Sequence, residues 1–123
     1  SNPPVYGYNR TGIDSILNTF YIEYSHDRFN VKLGDLYEMQ FNPEMTMDEY
    51  RREMNVDGTR ATSVIPTEVK TEHEKIDRAD GLAFVFPLWW GECPAKLKGW
   101  FDRVWICGYA YEYAYGRYDV CPI

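Results

Sequence analysis

Residues 81–94 read Gly81-Leu82-Ala83-Phe84-Val85-Phe86-Pro87-Leu88-Trp89-Trp90-Gly91-Glu92-Cys93-Pro94. The apolar run from Gly81 to Phe86, bounded by Asp80 and Pro87, has the pattern of a strand covered by helices on both faces. Pro87 lacks an N–H and ends ladder pairing. Pro94 suits a first helical turn, opening a helix from Ala95 to Ile106. Its expected inner face is Leu97, Phe101, Val104 and Trp105, with Lys96, Lys98, Asp102 and Arg103 toward water. Strand, loop and helix in that order predict an α/β chain with a parallel sheet. Ligands of such sheets bind outside the carboxyl ends of the strands, where residues 87–93 fall. Trp89 and Trp90 offer flat π-faces for a planar ring system, and Gly91 lets the backbone approach its edge. Packing under the helix accounts for one tryptophan, but two adjacent ones cannot both point inward from an extended loop.

Upstream, Ile13, Ile16, Leu17, Phe20, Tyr21 and Tyr24 recur at three and four residues, predicting an amphipathic helix to His26 or Asp27 with Thr11 or Asp14 as cap. Phe29 to Tyr37 alternates and reads as a short strand with Phe29, Val31 and Leu33 on one face. Asp35 to Pro43 reads as a turn in which Asp35 and Asn42 satisfy backbone groups while Leu36, Met39 and Phe41 pack. Thr46 is placed to cap a short helix over Asp48 to Met54. Asn55 to Ser63 reads as polar and mobile. Pro66 starts a surface helix to Ala79, with Glu68, Glu72 and Glu74 toward water and Val69 and Ile76 inward. His26 and His73 are expected to be solvated. The tyrosine-rich stretch after Gly108 reads as loop.

A chain of 123 residues with no break in composition suggests one domain, 1–123. Thirteen basic against 19 acidic side chains give a formal charge of −6, the wrong sign for holding nucleic acid by charge. Cys93, Cys107 and Cys121 make an odd count without metal-type spacing, so no metal site is expected and a reducing cytoplasm is. The longest apolar run is far shorter than the roughly 20 residues of a membrane span, and the amino terminus carries no secretory pattern.

The run from Ala79-Asp80-Gly81 through Pro87-Leu88-Trp89-Trp90-Gly91 and Lys98-Gly99-Trp100-Phe101 to Trp105 resembles the NAD(P)H:quinone oxidoreductase family. The likeness extends to Ala110-Tyr111-Glu112-Tyr113, similar to the family's Ala-Tyr-x-Tyr, and to Asp35-Leu36-Tyr37 through Asn42-Pro43. It implies a flavodoxin-like, three-layer parallel sheet, incomplete here because the first strand and the later glycine-rich loop are not matched. It further implies flavin, FAD or alternatively FMN, held by Pro87, Leu88, Trp89, Trp90 and Gly91. Trp90, Tyr111 and Tyr113 then face a quinone-like acceptor, with NAD(P)H as donor, commonly in a homodimer. The flavin phosphate is expected at the first helix start near Tyr8, Asn9 and Thr11, where free N–H groups favour an anion. No side-chain acid or base is assigned. Trp89 and Gly91 depart from the Gln or Tyr and the Phe frequent in the family, which widens the expected pocket. Two other roles fit the resemblance: a flavin-binding ancillary subunit of a potassium-efflux system, and a truncated, non-catalytic remnant.

Overall fold

The computed structural model describes residues 30–114 and 117–120. They fall into two compact units: residues 30–35 with 83–94, and residues 36–82 with 95–114 and 117–120. The expected first helix lies outside the described residues, as does His26.

The second unit contains α1 (Met47–Glu53), a 3-10 helix (Val56–Ala61), α2 (Thr67–Asp77), α3 (Ala95–Val104), and an antiparallel hairpin of β1 (Tyr111–Ala114) and β2 (Arg117–Val120). Thr46 starts α1 through a capping box. Its hydroxyl accepts the Glu49 N–H at 3.2 Å, and the Glu49 carboxylate accepts the Thr46 N–H at 2.7 Å. Before it, the turn expected over Asp35–Pro43 is present at residues 36–40, and Asn42 satisfies a backbone group as expected. Leu36 C=O accepts from Phe41 N–H at 2.9 Å, and Asn42 Oδ1 accepts from Glu44 N–H at 3.0 Å. Phe41 is fully buried, whereas Met39 is exposed. This turn also corrects the end of the strand expected to Tyr37, because residues 36–40 reverse direction.

Residues 55–63 are folded rather than mobile. Asn55 adopts a left-handed φ of 49°, its Oδ1 accepts from Arg60 N–H at 3.2 Å, and Arg60 Nε donates to Arg52 C=O at 3.2 Å. The core lies between α2, α3 and the 36–43 turn, where Phe41, Val69, Ile76, Leu97, Trp100 and Val104 are buried. Gly99 allows the closest approach: a Cβ there would lie on the carbonyl oxygen and Cα of Pro43.

Several charged groups expected in water are buried instead. Glu72 accepts from Trp100 Nε1 at 3.1 Å and from Lys75 Nζ at 2.6 Å. Arg103, 3% exposed, binds carboxylates from two other elements, and His73 is buried against Tyr109. Trp105, expected inside, is exposed at its edge of an aromatic cluster with Trp100 and Phe101. The chain after Gly108 is a hairpin rather than a loop, with Tyr113 opposite Tyr118. Leu82, Phe84 and Phe86 are exposed, so the burial on both faces expected of the run Gly81–Phe86 is not found there.

Candidate functional site

In the first unit, Trp89 and Glu92 exchange both backbone hydrogen bonds, N–H to C=O at 2.9 and 3.0 Å. Between them Trp90 has φ 52° and Gly91 φ 74°. Positive φ at both central residues is the pattern of a type I′ turn, whose favoured sequences are Asn-Gly and Gly-Gly because a Cβ is strained there. Gly91 fits. Trp90 does not: a bulky residue in the left-handed region costs on the order of 1–3 kcal/mol. Its indole recovers none of that by burial, since it is 103% exposed. Leu88 is exposed and Trp89 half-exposed. The turn therefore displays a flat ring and leaves the Trp90 and Gly91 N–H groups outside its own bond exchange. An added Cβ at Gly91 meets nothing within 4 Å, so the backbone there is open to a ligand edge. These features fit a planar heteroaromatic ring with acceptors along one side.

In the second unit, the segment from Ile106 to Tyr111 is fastened at both ends. Tyr109 N–H and Ala110 N–H donate to Ile106 C=O at 3.1 and 3.0 Å, and Gly108 N–H donates to Tyr111 C=O at 2.7 Å. The Glu53 carboxylate accepts from Cys107 N–H at 3.2 Å and from Tyr111 O–H at 3.0 Å, while Arg52 Nη2 donates to Cys107 C=O at 3.1 Å. Burial, with the hydrogen bond and negative charge of Glu53, pushes the Tyr111 hydroxyl up to about 12. Tyr109 stacks on His73, centroids 3.7 Å apart, and donates to Asp77 at 2.8 Å. Burial and Asp77 likewise push Tyr109 up to about 12. His73 Nε2 lies 2.7 Å from Val104 C=O, which only accepts, so this nitrogen carries the proton. Sequence reasoning missed Glu53, Arg52 and His73 because their partners lie far along the chain.

The sequence-derived residues divide accordingly. Pro87, Leu88, Trp89, Trp90 and Gly91 are together in the first unit, and Tyr111 and Tyr113 are in the hairpin of the second. Tyr8, Asn9 and Thr11 lie outside the described residues. Among the described residues no group of three or more His, Cys, Asp or Glu side chains could hold a metal ion, and no helix is long and apolar enough to cross a membrane. Cys93 and Cys107 are free thiols.

A family model described as flavodoxin-like fold matches residues 5–120. The chain belongs to the flavodoxin-like family. A solved NAD(P)H:quinone oxidoreductase from Methanothermobacter marburgensis is similar, with TM-score 0.79 and 46% identity over 89% of this chain and 54% of that one. An uncharacterized NAD(P)H oxidoreductase of Haemophilus influenzae is 42% identical over 83 residues, 68% of this chain and 38% of its own length. NAD(P)H dehydrogenase (quinone) 1 of Cavia porcellus is 36% identical over 104 residues, 76% of this chain and 38% of its own length. The chain thus spans well under half the length of these two relatives. The flavodoxin-like fold expected from the resemblance is the fold these matches give.

Proposed function

We propose that this chain supplies one wall of the flavin site in an NAD(P)H-dependent quinone reductase. The observation that carries the reading is the Trp89–Glu92 turn. It holds a fully exposed tryptophan in a backbone conformation that L-residues avoid, and strain of this kind persists where a function uses it. Family membership and the activities for which its relatives are named support the chemistry.

A bound flavin supplies the two-electron exchange between NAD(P)H and the quinone. The chain's own contribution is to bind and orient. Pro87 and Leu88 lead into the turn, the Trp90 indole offers a stacking face, and the Trp90 and Gly91 N–H groups offer donors to the ring's edge. Such fixed donors also stabilise negative charge on a reduced ring. Tyr8, Asn9 and Thr11 are proposed at the phosphate end, and Tyr111 and Tyr113 beside the acceptor. FAD is the proposed form, with FMN the alternative, in a homodimer located in the cytoplasm.

The visible spectrum of the purified full-length protein, followed by NAD(P)H oxidation with a soluble benzoquinone, tests this reading. Bound flavin and quinone-dependent turnover are expected, and the mass of the released cofactor distinguishes FAD from FMN. A colourless protein that takes up neither flavin contradicts the binding reading. Flavin binding without turnover contradicts the enzyme reading.

A further inference from the structure

The sequence holds two Asp-Gly pairs, Asp57-Gly58 and Asp80-Gly81. Aspartate followed by glycine is open to a reaction of its own main chain, because glycine has no Cβ to keep its nitrogen away from the side-chain carboxyl carbon before it. All four residues are exposed, so access to water does not separate the pairs. Backbone hydrogen bonding does. Gly58 N–H donates to Asn55 C=O at 3.2 Å, and Asp57 and Gly58 are both left-handed, with φ 51° and 70°. That segment is tied on either side: Asn55 Oδ1 accepts from Arg60 N–H, and the Arg60 guanidinium donates to Arg52 C=O and Glu53 C=O. Asp80-Gly81 lies past the end of α2, whose last turn closes with Ala79 N–H on Ile76 C=O. Among the described residues, neither the Gly81 N–H nor the Asp80 carboxylate has a hydrogen-bond or ion-pair partner, and a Cβ built on Gly81 meets nothing within 4 Å.

We propose that Asp80-Gly81 is a self-modification site, at which the main chain isomerises through a cyclic imide, and that the fold protects Asp57-Gly58 from the same reaction. The Gly81 nitrogen bonds to Asp80 Cγ, and its proton leaves with the carboxyl hydroxyl as water. Water then adds back at either imide carbonyl and breaks that carbonyl's bond to nitrogen. Opening at the Asp80 backbone carbonyl leaves the chain running through Cγ, an isoaspartyl linkage. Composition is unchanged, and no oxidant or reductant takes part. Closure requires the aspartate ψ to turn until the nitrogen faces Cγ. Residue 80 does this without breaking a hydrogen bond, whereas residue 57 must first give up the Gly58–Asn55 bond and its left-handed turn. The product carries one extra main-chain carbon and an exposed α-carboxylate, immediately before the run that leads to the Trp89–Glu92 turn. The partner it fits is a methyltransferase that esterifies isoaspartyl carboxylates.

The test ages the purified full-length protein at neutral pH and physiological temperature, native and in urea, and maps isoaspartate by mass spectrometry with electron-transfer fragmentation. Trypsin separates the pairs into peptides 53–60 and 79–96. In the native protein, isoaspartate is expected to accumulate at residue 80 at least about tenfold faster than at residue 57, and in urea the two rates should converge. Gly81→Ala places a methyl in open space, so it keeps the fold and should slow the reaction at residue 80 several-fold. Asp80→Glu should abolish it there, since its imide ring would have six members. An isoaspartyl carboxyl methyltransferase should methylate the aged wild type and not the aged Asp80→Glu variant. Equal native rates at the two pairs, a faster rate at residue 57, or an unchanged rate in Gly81→Ala overturns the proposal. Aged wild type that accepts no methyl group overturns the partner.

Discussion

Arg103 shows how much a single residue's environment depends on distant chain. Its Nε donates to Glu49 at 2.9 Å, and its Nη1 donates to Glu68 at 2.5 Å and to Asn42 C=O at 2.6 Å, while the guanidinium lies 5.2 Å from the centre of the Phe41 ring. Helical spacing assigned it to water, because periodicity weighs one helix at a time. The carboxylates that make its burial tolerable come from positions 54 and 35 residues away. Arg103→Met leaves Glu49 buried without its partner, and is expected to cost about 3–5 kcal/mol, measured by chemical denaturation. Arg103→Lys should recover little, since an ammonium cannot reproduce the fork. Trp90 is the opposite case. The adjacent-tryptophan argument required one of the pair to face outward, and both are exposed, but the left-handed backbone of Trp90 did not follow from it, because Trp-Gly is not a turn sequence that propensity recognises. Trp90→Asn installs the favoured I′ pair and removes no buried surface. Thermal melting should show an unchanged or higher Tm.

Among the elements, those defined by local chemistry were legible and those defined by non-local pairing were not. Thr46 and Glu49 lie three residues apart, and the capping box they predict is present; Thr46→Ala should cost about 1 kcal/mol by denaturant titration. The burial expected on both faces of residues 81–86 depends on covering elements from elsewhere in the chain, which no feature of that run could guarantee. The hairpin was missed although Tyr109, Tyr111, Tyr113 and Tyr115 alternate and Gly116 follows them, a period-two signal with a turn residue. α3 depends on a residue that propensity disfavours. Gly99→Ala gains up to about 1 kcal/mol of helix propensity, but forces a methyl into the Pro43 backbone. A net loss of about 1–3 kcal/mol is expected from overpacking, read as a lower Tm.

For the whole molecule, charge placement sets the limits of pH stability. Tyr109 and Tyr111, each pushed up to about 12, contribute stability that is complete below the ordinary tyrosine value near 10, and is lost as pH rises toward 12. Glu68 behaves oppositely. Burial raises its carboxyl, but bonds from Arg103 and Asn42 N–H and the charges of Arg103 and Lys96 outweigh it, so the net direction is downward. Its contribution is present above the ordinary carboxylate value and fades as pH falls below it. Circular dichroism across pH should show the alkaline loss reduced in Tyr111→Phe and the acid loss reduced in Glu68→Gln, both against lower starting stability. The central claim is that the strained, exposed Trp90 is kept for a planar cofactor. The most direct measurement is a flavin-fluorescence titration of the full-length apoprotein, wild type against Trp90→Asn. The account predicts about tenfold weaker binding in the variant with Tm unchanged or raised; equal affinity for flavin in the two proteins would contradict it.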